Sequence, residues 1–180
     1  MIPLPDLETD RMYLRPLCMQ DVPQVYQMDR NPKVMRYIGK ARAPKTHSAV
    51  VDWVKRRMAK GDGLGTWSAF LKKDRTFVGC FLLIQLENSR HVEIGYRLRE
   101  EYWGLGLATE GAQRVLTYAF HHLALENVVG IAYPEHVLSR KVLEKLGLQY
   151  LKKDRYYDVE VVYYEIDRAS FYRQSSESTD

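Results

Sequence analysis

The chain has 180 residues, 46% of them hydrophobic and 28% charged, with a formal net charge of +4, which fits one globular domain with a sizeable core. Its 27 basic side chains are spread along the sequence among 23 acidic ones, so the balance argues against a nucleic-acid partner and suits a small phosphorylated ligand. The longest apolar run, Phe77 to Ile84, falls far short of the ~20 residues that cross a bilayer, and the opening MIPLPDLETDR lacks the basic and apolar regions of a signal peptide. No membrane partner is therefore expected, and the expected location is cytoplasmic.

Arg11 to Leu17 reads as a strand ending near Pro16, and Met19 to Asp29 as a short helix with Pro23 in its first turn. Val50, Trp53, Val54 and Met58 recur at helical spacing in a second helix, for which Gly61 is the expected C-cap. Thr66 to Glu87 forms two strands around a polar turn at Lys73 to Arg75, and Val92, Ile94, Tyr96 and Leu98 alternate with Glu93, Gly95 and Arg97, which completes an antiparallel meander. A glycine run follows, then Ala112, Val115, Leu116, Ala119, Phe120 and Leu123 at the spacing of an amphipathic helix.

Asn127 to Tyr133 has the composition of a buried strand. Leu138, Val142 and Leu146, four apart, predict the core face of a helix capped by Gly147. Two strands close the chain as a hairpin around Arg155 to Asp158. The expected architecture is α+β, or mixed α/β, with about seven strands. Residues 1–172 are assigned to one domain and 173–180 to a disordered polar tail, which has nothing apolar to pack.

The run EYWGLGLATEG gives up side chains where a strand passes into a helix. Glycine is costly in regular structure, so the backbone there turns tightly or is approached closely. With the helix starting between Gly106 and Thr109, its first N–H groups lack intrahelical partners and face the positive end of the helix dipole, a place for a phosphate. A plain turn remains an alternative. So does a dinucleotide fingerprint through Gly104, Gly106 and Gly111, although a polar segment and a meander precede it instead of repeated β-α-β units.

EIGYRL, EYWGLGLATEG and SRKVLEKLGL, in this order and spacing over about residues 8–167, resemble the GNAT superfamily of acetyl-CoA-dependent N-acetyltransferases, in the branch of the ribosomal-protein N-terminal acetyltransferases. The resemblance implies a mostly antiparallel twisted sheet with a splayed strand pair, acetyl-CoA inserted between those strands as cosubstrate, and its pyrophosphate on the glycine loop. Gly104, Gly106 and Ala108 match that loop, with Leu105, Leu107 and Thr109 supplying N–H groups beside it. Trp103 matches the residue common in the ribosomal branch. Ser139 matches a polar position near the thioester sulfur, and His136 stands where the family often has Asn.

Acetyl transfer needs a neutral amine, a polarised carbonyl and stabilisation of the departing thiolate. Direct attack requires no covalent residue, and Cys18 and Cys80 are read as reduced and structural. Glu93 is the candidate base, or else a solvated strand carboxylate. Ser139 is a candidate partner for the sulfur, or else a helix N-cap. Tyr163 and Tyr164 are alternative acids or packing residues. Arg140, with Lys141 and Lys145, could meet the CoA phosphates, or be a solvated face. His47, His91, His121, His122 and His136 have no metal-site spacing, so no metal is expected. The acceptor is an amine, small or a protein N-terminus, with walls expected from Met28 to Gly39 and Asp154 to Tyr164. The protein is expected to be a monomer or homodimer. The alternatives are a non-catalytic acyl-CoA-binding domain and an NAD(P)-binding oxidoreductase.

Overall fold

The computed structural model describes residues 2–38, 46–58 and 61–177, with side chains to 174. Its strands are β1 (Leu7–Glu8), β2 (Met12–Pro16), β3 (Gly65–Leu71), β4 (Phe77–Gln85), β5 (Val92–Leu98), β6 (Asn127–Ala132), β7 (Gln149–Tyr156) and β8 (Val159–Asp167). They form one sheet of eight in the order β1-β2-β3-β4-β5-β6-β8-β7. Every neighbouring pair is antiparallel except β5 and β6. The strand beyond the expected seven is β1, whose two residues are too few to show an alternation.

The helices are α1 (Val22–Asp29), α2 (Pro32–Met35), α3 (His47–Arg57), α4 (Leu107–His121), α5 (Val137–Lys145) and α6 (Arg168–Glu177). Asn31 starts α2 by accepting the Lys33 N–H on its side chain, with Pro32 next to it. Thr46 caps α3 by accepting the Ala49 N–H at 3.2 Å. That helix ends at Met58, which is already extended, three residues before the expected Gly61 cap. Gly147 does terminate α5, in the left-handed region at φ 86°. The last helix carries through Glu177, so the segment expected to be a disordered tail begins as helix.

Two apolar clusters sandwich the sheet. Trp67, Phe81, Leu83 and Ile94 pack with Ala112, Val115, Leu116 and Phe120 of α4, as the spacing on that helix predicts, together with Leu143 of α5 and Phe171 of α6. On the other side Phe77 and Cys80 meet Val22 and Val25 of α1 and Val50 and Val54 of α3. The fully buried Asp21 carboxylate accepts hydrogen bonds from both Arg15 terminal nitrogens, the Cys18 N–H and the Ser68 hydroxyl. A buried charge so completely satisfied fixes the turn from β2 into α1.

Candidate active site

The parallel neighbours β5 and β6 pair at a single register position, Glu93 opposite Val129. Beyond it they diverge, and a cavity of about 890 Å³ lies between them, lined by Gly95, Tyr96, Arg97 and Leu98 of β5 and by Ile131, Ala132 and Tyr133 on the other side. The edges facing across this gap carry backbone N–H and C=O groups with no strand between them, inside the sheet instead of at its rim.

The cavity runs to the start of α4. Gly104 and Gly106 are left-handed, at φ 72° and 79°, and nothing lies within 4 Å of where a Gly104 Cβ would stand. These two glycines turn the chain and leave open the approach to the first N–H groups of α4. Gly111 serves packing instead: a Cβ there would meet the Phe81 ring at 2.2 Å. The turn is braced from outside by Arg11, which donates to the Leu105 carbonyl at 2.9 Å and to the Glu110 carboxylate at 2.6 Å. Burial pushes the Glu110 carboxyl up, and hydrogen bonds from Thr9 and Arg11 more than offset it, so the group sits below the usual carboxylate range. It stays charged beside the helix N-terminus.

Nine of the residues singled out in the sequence line this cavity: Glu93, Trp103, Gly104, Gly106, Leu107, Ala108, Thr109, His136 and Ser139. Leu105 does not; its side chain is exposed and its carbonyl faces Arg11. Arg140 does not either. It donates to the Tyr164 hydroxyl and the Pro134 carbonyl at 3.1 Å each, on the side of α5 away from the cavity, while Lys141 and Lys145 line it. Leu138, expected in the core, is 64% exposed and borders the cavity, because Leu143 and Leu146 anchor the helix. Tyr163 and Tyr164 are buried packing residues that do not line the cavity.

Ser139 is the third residue of α5, and His136 occupies the N-cap position, so Ser139 is not a cap. The Tyr96 hydroxyl donates to the Ser139 carbonyl at 2.9 Å and lies 3.2 Å from its Oγ. Burial raises the Tyr96 hydroxyl well above an ordinary phenol, so it stays protonated and remains a donor. His136 stacks on Tyr37 with ring centroids 4.2 Å apart, and burial lowers its pKa, which favours the neutral ring. Neither Tyr96 nor Tyr37 was singled out from the sequence. The only available signal for Tyr96 was its place on the strand before the glycine run.

Glu93 is 9% exposed and accepts the Tyr157 hydroxyl at 2.9 Å. Tyr157 sits at the tip of the β7–β8 hairpin, and its backbone N–H donates to Glu87 at 2.7 Å. The hairpin tip is thereby pinned over the start of β5. Four residues further along β5, Arg97, 9% exposed, stands 3.2 Å from Asp29 and 4.8 Å over the Trp53 ring. Burial pushes the Asp29 carboxyl up to about 6 against the pull of Arg97. Burial also raises the Cys80 thiol to about 12, which leaves no thiolate nucleophile there at neutral pH.

The family described as an acetyltransferase (GNAT) domain matches residues 11–149. The chain belongs to that family. It is 32% identical over 164 residues to the uncharacterised protein YkkB of Bacillus subtilis, covering 88% of this chain and 94% of that protein. It is 29% identical over 159 residues to the FsC-acetyl coenzyme A-N(2)-transacetylase of Aspergillus fumigatus, covering 82% of this chain and 66% of that protein. An acetyltransferase structure from Agrobacterium tumefaciens shares the fold, with a TM-score of 0.80 at 24% identity over 92% of this chain and 96% of that one. The splayed pair and the glycine turn lie where the resemblance in the sequence places them. Among the described residues no group of three or more His, Cys, Asp or Glu side chains could hold a metal ion, and no helix is long and apolar enough to cross a membrane.

Proposed function

We infer that the protein is an N-acetyltransferase that moves the acetyl group of acetyl-CoA to a primary amine, a protein N-terminus being one acceptor of that kind, with both substrates bound together. One observation carries this reading. The open β5 and β6 edges lead directly to the N-terminus of α4 at two left-handed glycines. Facing strand edges suit a narrow ligand with amide groups along its length, as in a pantetheine arm, and the glycine turn suits a pyrophosphate. Lys141 and Lys145 supply charge for the remaining phosphate.

The amine nitrogen attacks the thioester carbonyl carbon and gives up a proton, the carbon–sulfur bond breaks, and the sulfur leaves as thiolate, which becomes the CoA thiol by taking up a proton from solvent. Glu93, held by Tyr157 where the two strands part, takes the amine proton. The Ser139 hydroxyl, ordered by Tyr96, hydrogen-bonds the departing sulfur. No covalent enzyme intermediate is required.

Isothermal titration with acetyl-CoA, with NADH in parallel, tests the reading. Saturable binding of acetyl-CoA with NADH inert is the expected result. Binding of NADH alone, or of neither, overturns it.

A further inference from the structure

The last turn of α3 carries Lys55, Arg56 and Arg57. Arg56 and Arg57 line the cavity and Lys55 does not. Arg56 is exposed and Arg57 half-buried, and neither forms an ion pair with another described residue. The third arginine of this wall, Arg97, already has Asp29 beside it and lies over Trp53 of the same helix. That contact holds α3 against the cavity. Arg56 and Arg57 line the same cavity as Glu93, on a helix that meets β5 through the contact of Trp53 with Arg97, four residues along the strand from Glu93. Among the described residues, Glu87 and Glu93 are the carboxylates lining the cavity.

The cavity thus presents carboxylates together with two guanidinium groups that have no described counter-ion. An amine with no anionic group would find the carboxylates but leave the two arginines without a partner and meet their like charge. Helix-dipole stabilisation accounts for basic residues in a last turn, and Lys55 satisfies it from outside the cavity. It gives no reason for two arginines to line the cavity. Arginine is suited to carboxylate and phosphate oxygens, which its planar fork binds in pairs.

We propose that the acceptor is an amine that also carries an anionic group, with its nitrogen toward Glu93 and its anionic oxygens on Arg56 and Arg57. This rests on the acetyltransferase reading above. It makes these arginines specificity residues and excludes purely cationic polyamines as the preferred acceptor class.

The test measures acetyl transfer to matched amines. One arm compares ω-amino acids of three to six carbons, as probes, with their carboxamides. A second compares phosphoethanolamine with ethanolamine, and a diamine stands as the cationic reference. In at least one arm the anionic member is expected to exceed its neutral partner about tenfold or more in kcat/KM. The arm in which this occurs distinguishes carboxylate from phosphate. Arg56→Ala combined with Arg57→Ala should bring that ratio close to one, and the corresponding pair of Lys variants should retain part of it. A ratio near one in the wild-type protein, preference for the diamine, a ratio that survives the double Ala substitution, or acetyl-CoA binding with no transfer to any probe overturns the proposal. Failure of wild-type protein to bind acetyl-CoA would instead overturn the acetyltransferase reading.

Discussion

Gly104→Ala separates backbone strain from ligand approach, because the two have different sizes at this position. The residue is left-handed at φ 72°, and an added Cβ would have nothing within 4 Å. The folded protein therefore bears only the conformational cost of a non-glycine residue there, about 1–2 kcal/mol. A ligand phosphate drawn to the start of α4 has to pass the same point. Hydrogen bonds to a charged group contribute about 1.5–3 kcal/mol each, so a methyl that holds the phosphate away from one or two N–H groups costs about 3 kcal/mol, or about a hundredfold in Kd. Chemical denaturation reads the first quantity and isothermal titration with acetyl-CoA the second. An unchanged Kd beside the expected loss of stability would refute the phosphate assignment. A stability loss well above 3 kcal/mol would show that the turn is packed more tightly than its open surroundings imply.

Glu93→Gln keeps an acceptor for the Tyr157 hydroxyl and removes the base. The expected outcome is a fall in kcat of about a hundredfold with acetyl-CoA affinity within about twofold, and kinetics unchanged across pH would remove Glu93 from the chemistry. For Asp29, the folded carboxyl at about 6 lies above its ordinary 3.8, so the folded chain holds a proton that the unfolded chain has lost. The contribution to stability is full below about pH 4 and disappears as pH rises through about 6, roughly 3 kcal/mol in all. Carbon-detected NMR should find one carboxyl titrating near pH 6 that is absent from Asp29→Asn; if none titrates above pH 5, burial does not dominate at this pair.

Much of the fold was legible because it is local. Two apolar runs around a polar turn marked β3 and β4, alternation marked β5, apolar spacing marked α4, and the glycines marked the turn between β5 and α4. Features set by distant partners were not. Arg11 braces a turn more than ninety residues away, and Tyr157 reaches Glu93 across sixty-four; nothing local to either residue announces its contact. The α5 helix shows how small the difference can be. The sequence places Leu138 in the core and offers Arg140, Lys141 and Lys145 alike to the CoA phosphates. The α5 residues that line the cavity are Leu138, Ser139, Lys141, Val142, Leu143 and Lys145, which leaves Arg140 turned to Tyr164 instead. With successive residues separated by a rotation of about 100°, one step decides which cation meets a ligand.

The location of the site follows from topology. A parallel pair cannot be joined by a tight turn, so β5 and β6 need a crossover, and α4 supplies it. The crossover helix begins near the C-terminal end of β5, which brings its positive end to that end of the strand. The same two strands pair only at Glu93 and Val129 and then part in the direction in which the chain runs. The gap therefore opens toward the helix N-terminus, joining unpaired backbone edges to an anion site in one continuous channel. Had β5 and β6 been antiparallel neighbours joined by a hairpin, no crossover helix would be needed and no helix N-terminus would be placed at the mouth of the gap. The single parallel pairing in an otherwise antiparallel sheet is thus what brings together the two features on which the proposed acetyl-CoA site depends.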